Sequence, residues 1–308
     1  MVHTFDDFDA WGDVVRGAEL QIVCDRVEVR RWTIGALALG RTVVQVAEEG
    51  GGNLCHGAGA HPGTVLFLPL TRVEGHVVNG ERLDGGSLLA IPHGADFHIS
   101  VRRVAHAWCS IALPLPFPGG RSRRIAPGTE AVERLKRAAL CAVAGLAGVP
   151  AGSPAHAAAE EAILAAAEAV LLPGAPRAAP AGRPKIDRMD LLGRMITLLE
   201  GSSTAILSPA ALAAALGVHE RTLQRVVRET VGTTTKEYLL LRALHAARRR
   251  LRRPPDATEG VTAILAGLGI WEFGRFAGRY RAHFGEPPSS TLAAARGEGV
   301  SCRGPGGR

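Results

Sequence analysis

The sequence has no apolar stretch that approaches the roughly 18 residues needed to cross a bilayer. Its first residues, MVHTFDDFDAW, are acidic and have neither the basic start nor the apolar core of a signal peptide. The five cysteines are widely scattered and form no Cys-x-x-Cys pair, so they predict reduced thiols or small core residues rather than a disulfide framework. These absences predict a cytoplasmic protein that does not associate with a membrane.

The basic charge of the chain is concentrated in its second half. A length of 308 residues and a hydrophobic content of 46% predict about two globular domains. Residues 1–184 hold 17 basic and 18 acidic side chains, whereas residues 185–308 hold 19 basic and 11 acidic ones. This division favours a polyanion-binding module joined to a neutral module that binds small or uncharged partners.

Short apolar runs between residues 20 and 113 predict β-strands, because Gly, Pro, Asn or Asp turns separate them. The runs are LQIVCDRVEVRRW, RTVVQVAEE, TVLFLPL, VEGHVVNGE, SLLAIP and FHISVRR. Their number and spacing predict a sandwich or a small barrel.

The segment GGSLLAIPHGADFHI resembles the second conserved motif of the cupin superfamily, shifted by one residue. The positions that carry the resemblance are Gly86, Pro92, Gly94 and His98. The first cupin motif, with its paired histidines and a glutamate, is not recognisable around His56. The resemblance implies a cupin-like β-barrel over residues 1–118, with the role of an effector or regulatory domain.

Histidines of this region raise the question of a metal site, since imidazoles that converge inside a barrel are common ligands. They are His56, His61, His76, His93, His98 and His106. Their spacings follow no ligand pattern, and His93 and His98 are expected on opposite faces of a sheet unless a bulge or turn intervenes. The sequence therefore predicts no metal, no cofactor and no catalytic residue. Trp32, Trp108 and some of these histidines either line a barrel mouth that holds a small effector or fill the core.

Residues 119–172 predict Ala-rich helices, the second of which begins at a Ser-Pro cap signal. One apolar stripe recurs at helical spacing: Val132, Leu135, Ala139 and Val143. This stripe could form a dimer face or pack on the barrel. The Pro-, Ala- and Gly-rich residues 173–184 predict an extended linker, and residues 297–308 predict a disordered tail.

Residues 208–228, SPAALAAALGVHERTLQRVVR, predict two short helices joined by a Gly-Val turn. Ser208 is the predicted N-cap of the first helix, and Gly217 ends it. The second helix turns these side chains outward: Glu220, Arg221, Gln224, Arg225 and Arg228. Arg and Gln have forked donors that can reach guanine or adenine edges in the major groove, so this face suits DNA. The alternative is a helical hairpin with a solvated charged face.

The rest of the second half repeats this pattern. An amphipathic helix over residues 186–199 precedes the first unit, and a helix over residues 234–253, about 30 Å long, follows it. VTAILAGLGIWEFGRFAGRYRAHFGEPPS then predicts a second pair of helices around Gly269. Such a tandem could place two helices in successive major grooves, about 34 Å apart.

Taken together, LAAALGVHERTLQRVVRETVG, RALHAARRRL and the closing FGEPPS segment resemble the AraC/XylS family of transcription regulators. The match covers about residues 187–294 and lies within a predicted all-α DNA-binding domain over residues 185–296. The resemblance implies that Arg221, Gln224 and Arg225 reach base edges, with Arg228 on the same face. It also implies that the N-terminal half is the effector or dimerisation domain.

Several positions depart from the family pattern. His219 stands where a Ser is usual, Leu265 where a small Ala is usual, and Ile270 where Phe is usual. The second unit also has small residues at outward positions where other members carry polar readers: Gly274, Ala277 and Gly278. Arg275 and Arg279 are therefore expected to contact phosphates rather than bases.

The sequence thus predicts an α+β protein and a sequence-specific DNA-binding transcription regulator, not an enzyme, controlled by a small effector in the barrel. Its partners would be double-stranded promoter or operator DNA, a second copy of the chain, and RNA polymerase if it is an activator. Two alternatives stay open. One is a cupin-type metal-dependent enzyme with a DNA-binding tail, and the other is an architectural DNA binder.

Overall fold

The computed structural model describes residues 2–171, 187–202, 208–253 and 258–297. The predicted linker over residues 173–184 lies outside these ranges, and so does the predicted tail beyond residue 297. The chain divides into two compact units. One comprises Met1–Asp190 with Glu229–Gly232, and the other comprises Leu191–Arg228 with Thr233–Arg308.

The first unit is built from strands, with a short helix α1 near its start and two longer helices after the last strand. The strands in residues 2–171 are β1 (Val2–Phe5), β2 (Ala18–Val27), β3 (Trp32–Leu39), β4 (Thr42–Glu49), β5 (Gly51–Gly59), β6 (Thr64–Pro69), β7 (His76–Val78), β8 (Glu81–Arg82), β9 (Leu88–Pro92), β10 (Asp96–Val101), β11 (His106–Leu113) and β12 (Arg123–Ile125). The helices are α1 (Phe8–Gly12), α2 (Thr129–Gly145) and α3 (Pro154–Leu171).

The strands form two antiparallel sheets, which we call together the barrel. In the described residues, the larger sheet has the order β1-β3-β4-β11-β6-β9-β12 and the smaller has the order β2-β5-β10-β7-β8. Side chains alternate along each strand, so the larger sheet contributes to two cores. Val65 and Phe67 of β6 belong to the core that also contains residues of the smaller sheet, whereas Leu66 and Leu68 belong to the core shared with α2 and α3.

The predicted apolar stripe of the helical segment lies in this second core. Val132, Leu135 and Ala139 of α2 are buried together with Leu66 and Ile111 of the larger sheet. Of the two alternatives that the stripe left open, the structure therefore shows packing on the barrel. A dimer face would have to use other side chains.

Strand β5 differs from the sequence expectation, which placed no strand at GGNLCHGAG. Glycine usually weakens a strand, but here it permits close backbone approach. A Cβ atom at Gly51 would collide with the carbonyl oxygen of Arg26, and one at Gly57 would collide with that of Glu19. These glycines are therefore needed by the neighbouring strand β2. Strand β11 was also missing from the predicted runs.

The second unit contains helices, and α4 and α6 extend from it into the segments assigned to the first. The helices after residue 187 are α4 (Arg188–Gly201), α5 (Pro209–Ala215), α6 (Glu220–Thr230), α7 (Thr235–Arg252), α8 (Val261–Gly267), α9 (Phe273–Phe284) and α10 (Pro288–Ala295). The predicted α+β class, with sheets in the N-terminal part and helices in the C-terminal part, is confirmed. Among the described residues, no helix combines the length and apolar character needed to span a membrane.

Helix α7 joins the two helix pairs. Its Leu244, Ala247 and Leu251 are buried in one core with Phe276 and Tyr280 of α9. Helix α5 also contacts α7. Because both helix pairs are anchored on one continuous helix, their orientation relative to each other depends on α7.

Candidate DNA-binding surface and barrel cavity

The first helix pair is held by a capped turn. The Ser208 hydroxyl accepts a hydrogen bond from the Ala211 amide at 3.4 Å, as expected for an N-cap. Gly217 has φ 67°, which favours glycine, and the Val218 amide donates to the Ala213 carbonyl at 3.0 Å. This hydrogen bond is the mark of a Schellman motif, which ends α5 and redirects the chain into α6.

Helix α6 separates a buried face from a polar one. Leu223, Val226 and Val227 are almost fully buried. The predicted DNA-contacting side chains of this helix are all exposed: Arg221, Gln224, Arg225 and Arg228. Within the described ranges, none of these three arginines makes a hydrogen bond or ion pair through its guanidinium group. Their donors are therefore available to an external acceptor.

Gln224 is already engaged on this surface. Its amide nitrogen donates to the Glu220 carboxylate at 2.8 Å. Reading a base with the Gln224 side chain would therefore require this hydrogen bond to be exchanged for one to DNA. The sequence placed both residues on the outward face but gave no indication of their pairing.

The second helix pair uses the same turn. Gly269 has φ 75°, and the Ile270 amide donates to the Leu265 carbonyl at 3.0 Å. Leu265 and Ile270, which depart from the family pattern, are both buried in the core of this pair. The connection from the turn glycine to the second helix is one residue longer in this pair than in the first pair. The first buried residue of α6 is Leu223, six positions after Gly217, whereas the first buried residue of α9 is Phe276, seven positions after Gly269.

Aligning the two helices on their buried residues shows how their outer faces differ. Leu223 corresponds to Phe276, and Val227 corresponds to Tyr280. The positions of Arg221, Gln224 and Arg225 in α6 are then occupied in α9 by Gly274, Ala277 and Gly278. Helix α9 therefore has no hydrogen-bonding side chain at the three predicted reading positions.

The two arginines predicted to contact phosphate in this helix have different surroundings. Both Arg275 and Arg279 are exposed. The Arg275 guanidinium donates to both carboxylate oxygens of Glu272, at 3.1 and 3.2 Å. Next to Glu272, Trp271 is 71% exposed at the start of the helix. A contact from Arg275 to DNA would therefore compete with Glu272, whereas Arg279 has no such partner in the described structure.

The closing FGEPPS segment is fixed to α7 and α9 by a polar network. The Arg248 guanidinium donates to Glu286 at 3.1 Å and lies 4.4 Å from the centre of the Phe284 ring. Thr291 donates to the same Glu286 oxygen at 2.8 Å and lies 2.9 Å from the Tyr280 hydroxyl. This network holds the end of α9, so Arg248, one of the arginines of α7, has a structural role.

The first unit contains a cavity between the two sheets of the barrel. It contains about 570 Å³ of space between protein atoms, a figure that includes space open to solvent. Most of its wall is apolar, with aromatic rings from Trp11, Phe67, Phe97 and Trp108. Trp108 lines the cavity, one of the two alternatives that the sequence left open, whereas Trp32 is buried in the same core and does not line the cavity.

Polar side chains gather at one part of this wall, and we call Glu49, Asn53, His106 and Trp108 the Glu49 cluster. Glu49 and His106 face each other across the β4–β11 pairing. The Glu49 Oε1 atom accepts from the Trp108 indole at 2.7 Å and lies 3.4 Å from His106 Nε2. The Asn53 amide nitrogen donates to Glu49 Oε2 at 2.5 Å. A buried carboxylate is thus held by three donors, as its desolvation requires.

The cluster shifts the titration of two histidines. Burial lowers the pKa of His106, but the negative charge of Glu49 and hydrogen bonds outweigh this and leave the pKa above its usual value. The ring of His76 lies 5.1 Å from that of His106. Burial, and then the charge of His106, lower the pKa of His76 to about 3. Glu49 therefore stabilises the protonated form of His106 relative to the neutral form, and His76 stays neutral.

The six histidines fall into three pairs rather than one cluster. His76 and His106 are in ring contact, His56 and His98 are opposite each other on β5 and β10, and the His93 ring contacts the backbone carbonyl of His61. His98 is buried and His93 is exposed. In the described parts of the chain, no group of three or more His, Cys, Asp or Glu side chains is arranged to hold a metal ion.

Sequence reasoning missed Glu49 and Asn53. Glu49 is the last residue of the predicted strand run RTVVQVAEE, and Asn53 follows the glycines that begin β5, which made Asn53 look like part of a turn. A signal was present in β4, where Gln45 and Glu49 are polar at positions that face the same side as Ala47. Polar residues at inward positions of a strand indicate a buried hydrogen-bonding site.

Comparisons with known proteins find a helix-turn-helix domain and several transcription regulators. A protein-family model described as a helix-turn-helix domain matches residues 212–294. The probable thc operon regulatory protein of Rhodococcus erythropolis is 37% identical over 97 residues, which are 32% of this chain and 29% of that protein. The XylDLEGF operon transcriptional activator 1 of Pseudomonas putida is 34% identical over 116 residues, which are 36% of this chain and 32% of that protein.

A crystal structure of a transcriptional regulator from Chromobacterium violaceum, described as an AraC-type DNA-binding domain-containing protein, covers 36% of this chain and 96% of its own, with 26% identity and a TM-score of 0.31. The chain spans about a third of the length of the two curated relatives above. The likeness to these relatives therefore covers about a third of this chain.

Proposed function

From residues 212–294, which form an AraC-type helix-turn-helix domain, we propose that the chain is a sequence-specific DNA-binding transcription regulator. The observation that carries the proposal is the outer face of α6, where Arg221, Gln224 and Arg225 are exposed above a buried apolar face. Arg and Gln are the side chains that pair with guanine and adenine edges in the major groove. Arg228 extends the same face and adds positive charge toward the backbone of DNA.

The two helix pairs have different roles in this proposal. Helix α6 reads bases, while α9, which has Gly274, Ala277 and Gly278 at the matching positions, contacts phosphates through Arg275 and Arg279. Phosphate contacts position a protein on the duplex without selecting its sequence. The first pair therefore supplies the specificity and the second supplies affinity.

A binding-site selection on the full chain, Arg225→Ala and Arg279→Ala tests this division. Arg225→Ala should weaken the free energy of DNA binding by about 1–3 kcal/mol and relax the preference at one base position, because a bidentate guanine contact is lost. Arg279→Ala should keep the preferred sequence, weaken all sequences about equally, and reduce the slope of log affinity against log salt by roughly 0.9.

Other outcomes would favour other functions. If Arg279→Ala changes the preferred sequence and Arg225→Ala does not, the reading and positioning roles are reversed. If the parent selects no sequence, the chain is an architectural DNA binder. One zinc, iron or manganese per purified chain, lost on replacing His56 or His98, would favour a cupin-type metalloenzyme with a DNA-binding tail.

The barrel is the proposed regulatory part of the molecule. Its cavity would hold a small effector whose binding changes the affinity of the chain for operator DNA. A second copy of the chain, and RNA polymerase where the regulator activates, complete the proposed partners. Operator affinity measured with and without ligand in the cavity tests this control.

A further inference from the structure

The chemistry of the barrel cavity narrows the class of effector, and this inference rests on the proposed role of the cavity. Within the Glu49 cluster, the side-chain oxygen of Asn53 has no hydrogen-bond partner among the described residues. Asn53 is 5% exposed and lines the cavity, and its Oδ1 atom accepts no hydrogen bond from any described residue. An unpaired buried acceptor is costly unless a ligand or water supplies a donor.

The orientation of this amide is determined by its other hydrogen bond. The Asn53 nitrogen must face the Glu49 carboxylate, because turning the amide over would place two acceptor oxygens against each other. Cys55, two residues along the same strand, also lines the cavity, so the Asn53 side chain projects from the inner face of β5. The oxygen atom is therefore the free hydrogen-bonding group of this amide.

A carboxylate and an imidazole lie close together at this part of the cavity. Glu49 and His106 are both about 1% exposed in their side chains and lie within ion-pair distance. The negative charge of Glu49 raises the pKa of His106 above its usual value, although burial lowers it. The other basic residue on the cavity wall is Arg16, whose guanidinium donates to the backbone carbonyls of Asp13 at 2.9 Å and Val15 at 3.4 Å. The Asn53 oxygen accepts but cannot donate, so a ligand carboxylate placed against it would face this acceptor and the neighbouring Glu49 carboxylate.

The remaining wall selects the body of the ligand. The rings of Phe67 and Trp108 lie 5.8 Å apart, and those of Trp11 and Trp108 lie 6.4 Å apart. Such rings, together with the apolar Ile22, Val65 and Ile91, favour a flat apolar molecule. A polar ligand such as a sugar would find few partners for its other hydroxyl groups on these walls.

We propose that the cavity binds a neutral aromatic alcohol of the phenol class, whose hydroxyl donates to Asn53 Oδ1 while its ring contacts Trp11, Phe67 and Trp108. The Asn53 acceptor oxygen and the Glu49 carboxylate beside it disfavour aromatic carboxylates. Asn53 is a ligand-binding residue in this arrangement, and Glu49 is a positioning residue that acts by orienting the Asn53 amide.

Calorimetric titration of the full chain with three probes of one shape tests the proposal: 4-ethylphenol, ethylbenzene and 4-ethylbenzoate. Deleting a hydroxyl that satisfies a buried acceptor leaves that acceptor unpaired, so ethylbenzene should bind roughly tenfold or more weakly than 4-ethylphenol. The benzoate should also bind at least about tenfold more weakly than the phenol, because its carboxylate is desolvated beside Glu49.

Asn53→Leu should remove the tenfold preference for the phenol while keeping the affinity for ethylbenzene, which also shows that the variant is folded. Ser100→Ala is the matched control. Ser100 is a buried polar residue of β10, next in sequence to the residue paired with Asn53, and it does not line the cavity. Removing the Ser100 hydroxyl should leave the affinities for the three probes unchanged.

Three results would overturn the inference: tighter binding of the benzoate than of the phenol, equal binding of the phenol and ethylbenzene, or no binding of any probe. If Asn53→Leu does not fold, the comparison of the three probes on the parent chain still tests the proposed ligand class. If the phenol binds as expected but does not change operator affinity, the ligand class stands and the proposed effector control fails.

Discussion

Replacing Gly274 and Gly278 by alanine should stabilise the C-terminal helices. Both glycines are exposed in α9, and a Cβ atom at either position would meet no heavy atom within 4 Å. Glycine inside a helix is about 1 kcal/mol less favourable than alanine. Gly278 lies in the middle of α9 and should give roughly this full amount, whereas Gly274 lies in the first turn and should give about half of it.

Urea unfolding of the full chain, followed by circular dichroism at 222 nm, measures this gain. The double variant should raise the free energy of unfolding of the helical unit by about 1.5 kcal/mol, because the two new methyl groups do not share a partner. Gly269→Ala is the matched control, since its φ of 75° is unfavourable for alanine, and it should destabilise by about 1 kcal/mol or more.

The same variants test the function of α9. If this helix only positions the protein on phosphates, the added methyl groups should leave the preferred DNA sequence unchanged. A double variant that is no more stable than the parent would refute the conclusion that these glycines weaken α9 without a packing role. A changed sequence preference would instead show that the glycine face approaches the bases.

Other substitutions test the core, the buried histidines and the closing network. Leu223→Ala should cost about 2–5 kcal/mol in the free energy of unfolding, because the side chain is fully buried, whereas Arg228→Ala should change it by less than about 0.5 kcal/mol. Burial, and then His56, lower the pKa of His98 from 6.5 to about 3. Between pH 6.5 and 3, His98 is therefore protonated in the unfolded chain and neutral in the folded chain. Its contribution should lower the free energy of unfolding by roughly 1.4 kcal/mol for each pH unit as pH falls through this range. His98→Leu should remove this contribution, and a parallel pH dependence in parent and variant would contradict it. Arg248→Ala should cost about 1–3 kcal/mol in urea unfolding, since Glu286 loses its cation and Phe284 its stacked guanidinium. An unchanged midpoint would show that this network is not structural.

The helix pairs could be predicted from the sequence because their signals are local. Ser208 and Gly217 mark the ends of α5, and the 3.6-residue spacing of Leu223 and Val227 identifies the buried face of α6. Each of these features depends on residues within a few positions of each other. The exposure of the predicted α6 side chains follows from the same spacing, although their contacts with DNA stay a prediction.

The barrel cavity could not be predicted in the same way. Glu49, Asn53 and His106 come from three strands, and only the pairing of β4 with β11 brings Glu49 and His106 together. The glycines of β5 look like a turn in the sequence, yet they are required by the backbone of a strand far away along the chain. Register and close approach are properties of the folded sheet, and no local pattern records them.

The distribution of tryptophan gives the molecule separate spectroscopic reporters. Four tryptophans are present, of which Trp11 and Trp108 line the barrel cavity, Trp32 is buried nearby, and Trp271 is exposed beside α9. Emission of the buried indoles should lie at shorter wavelength and resist an aqueous quencher such as iodide, while Trp271 should emit at longer wavelength and be quenched. A ligand in the cavity should therefore change the short-wavelength emission, and bound DNA should protect the long-wavelength emission from iodide, so both events can be followed in one unlabelled sample.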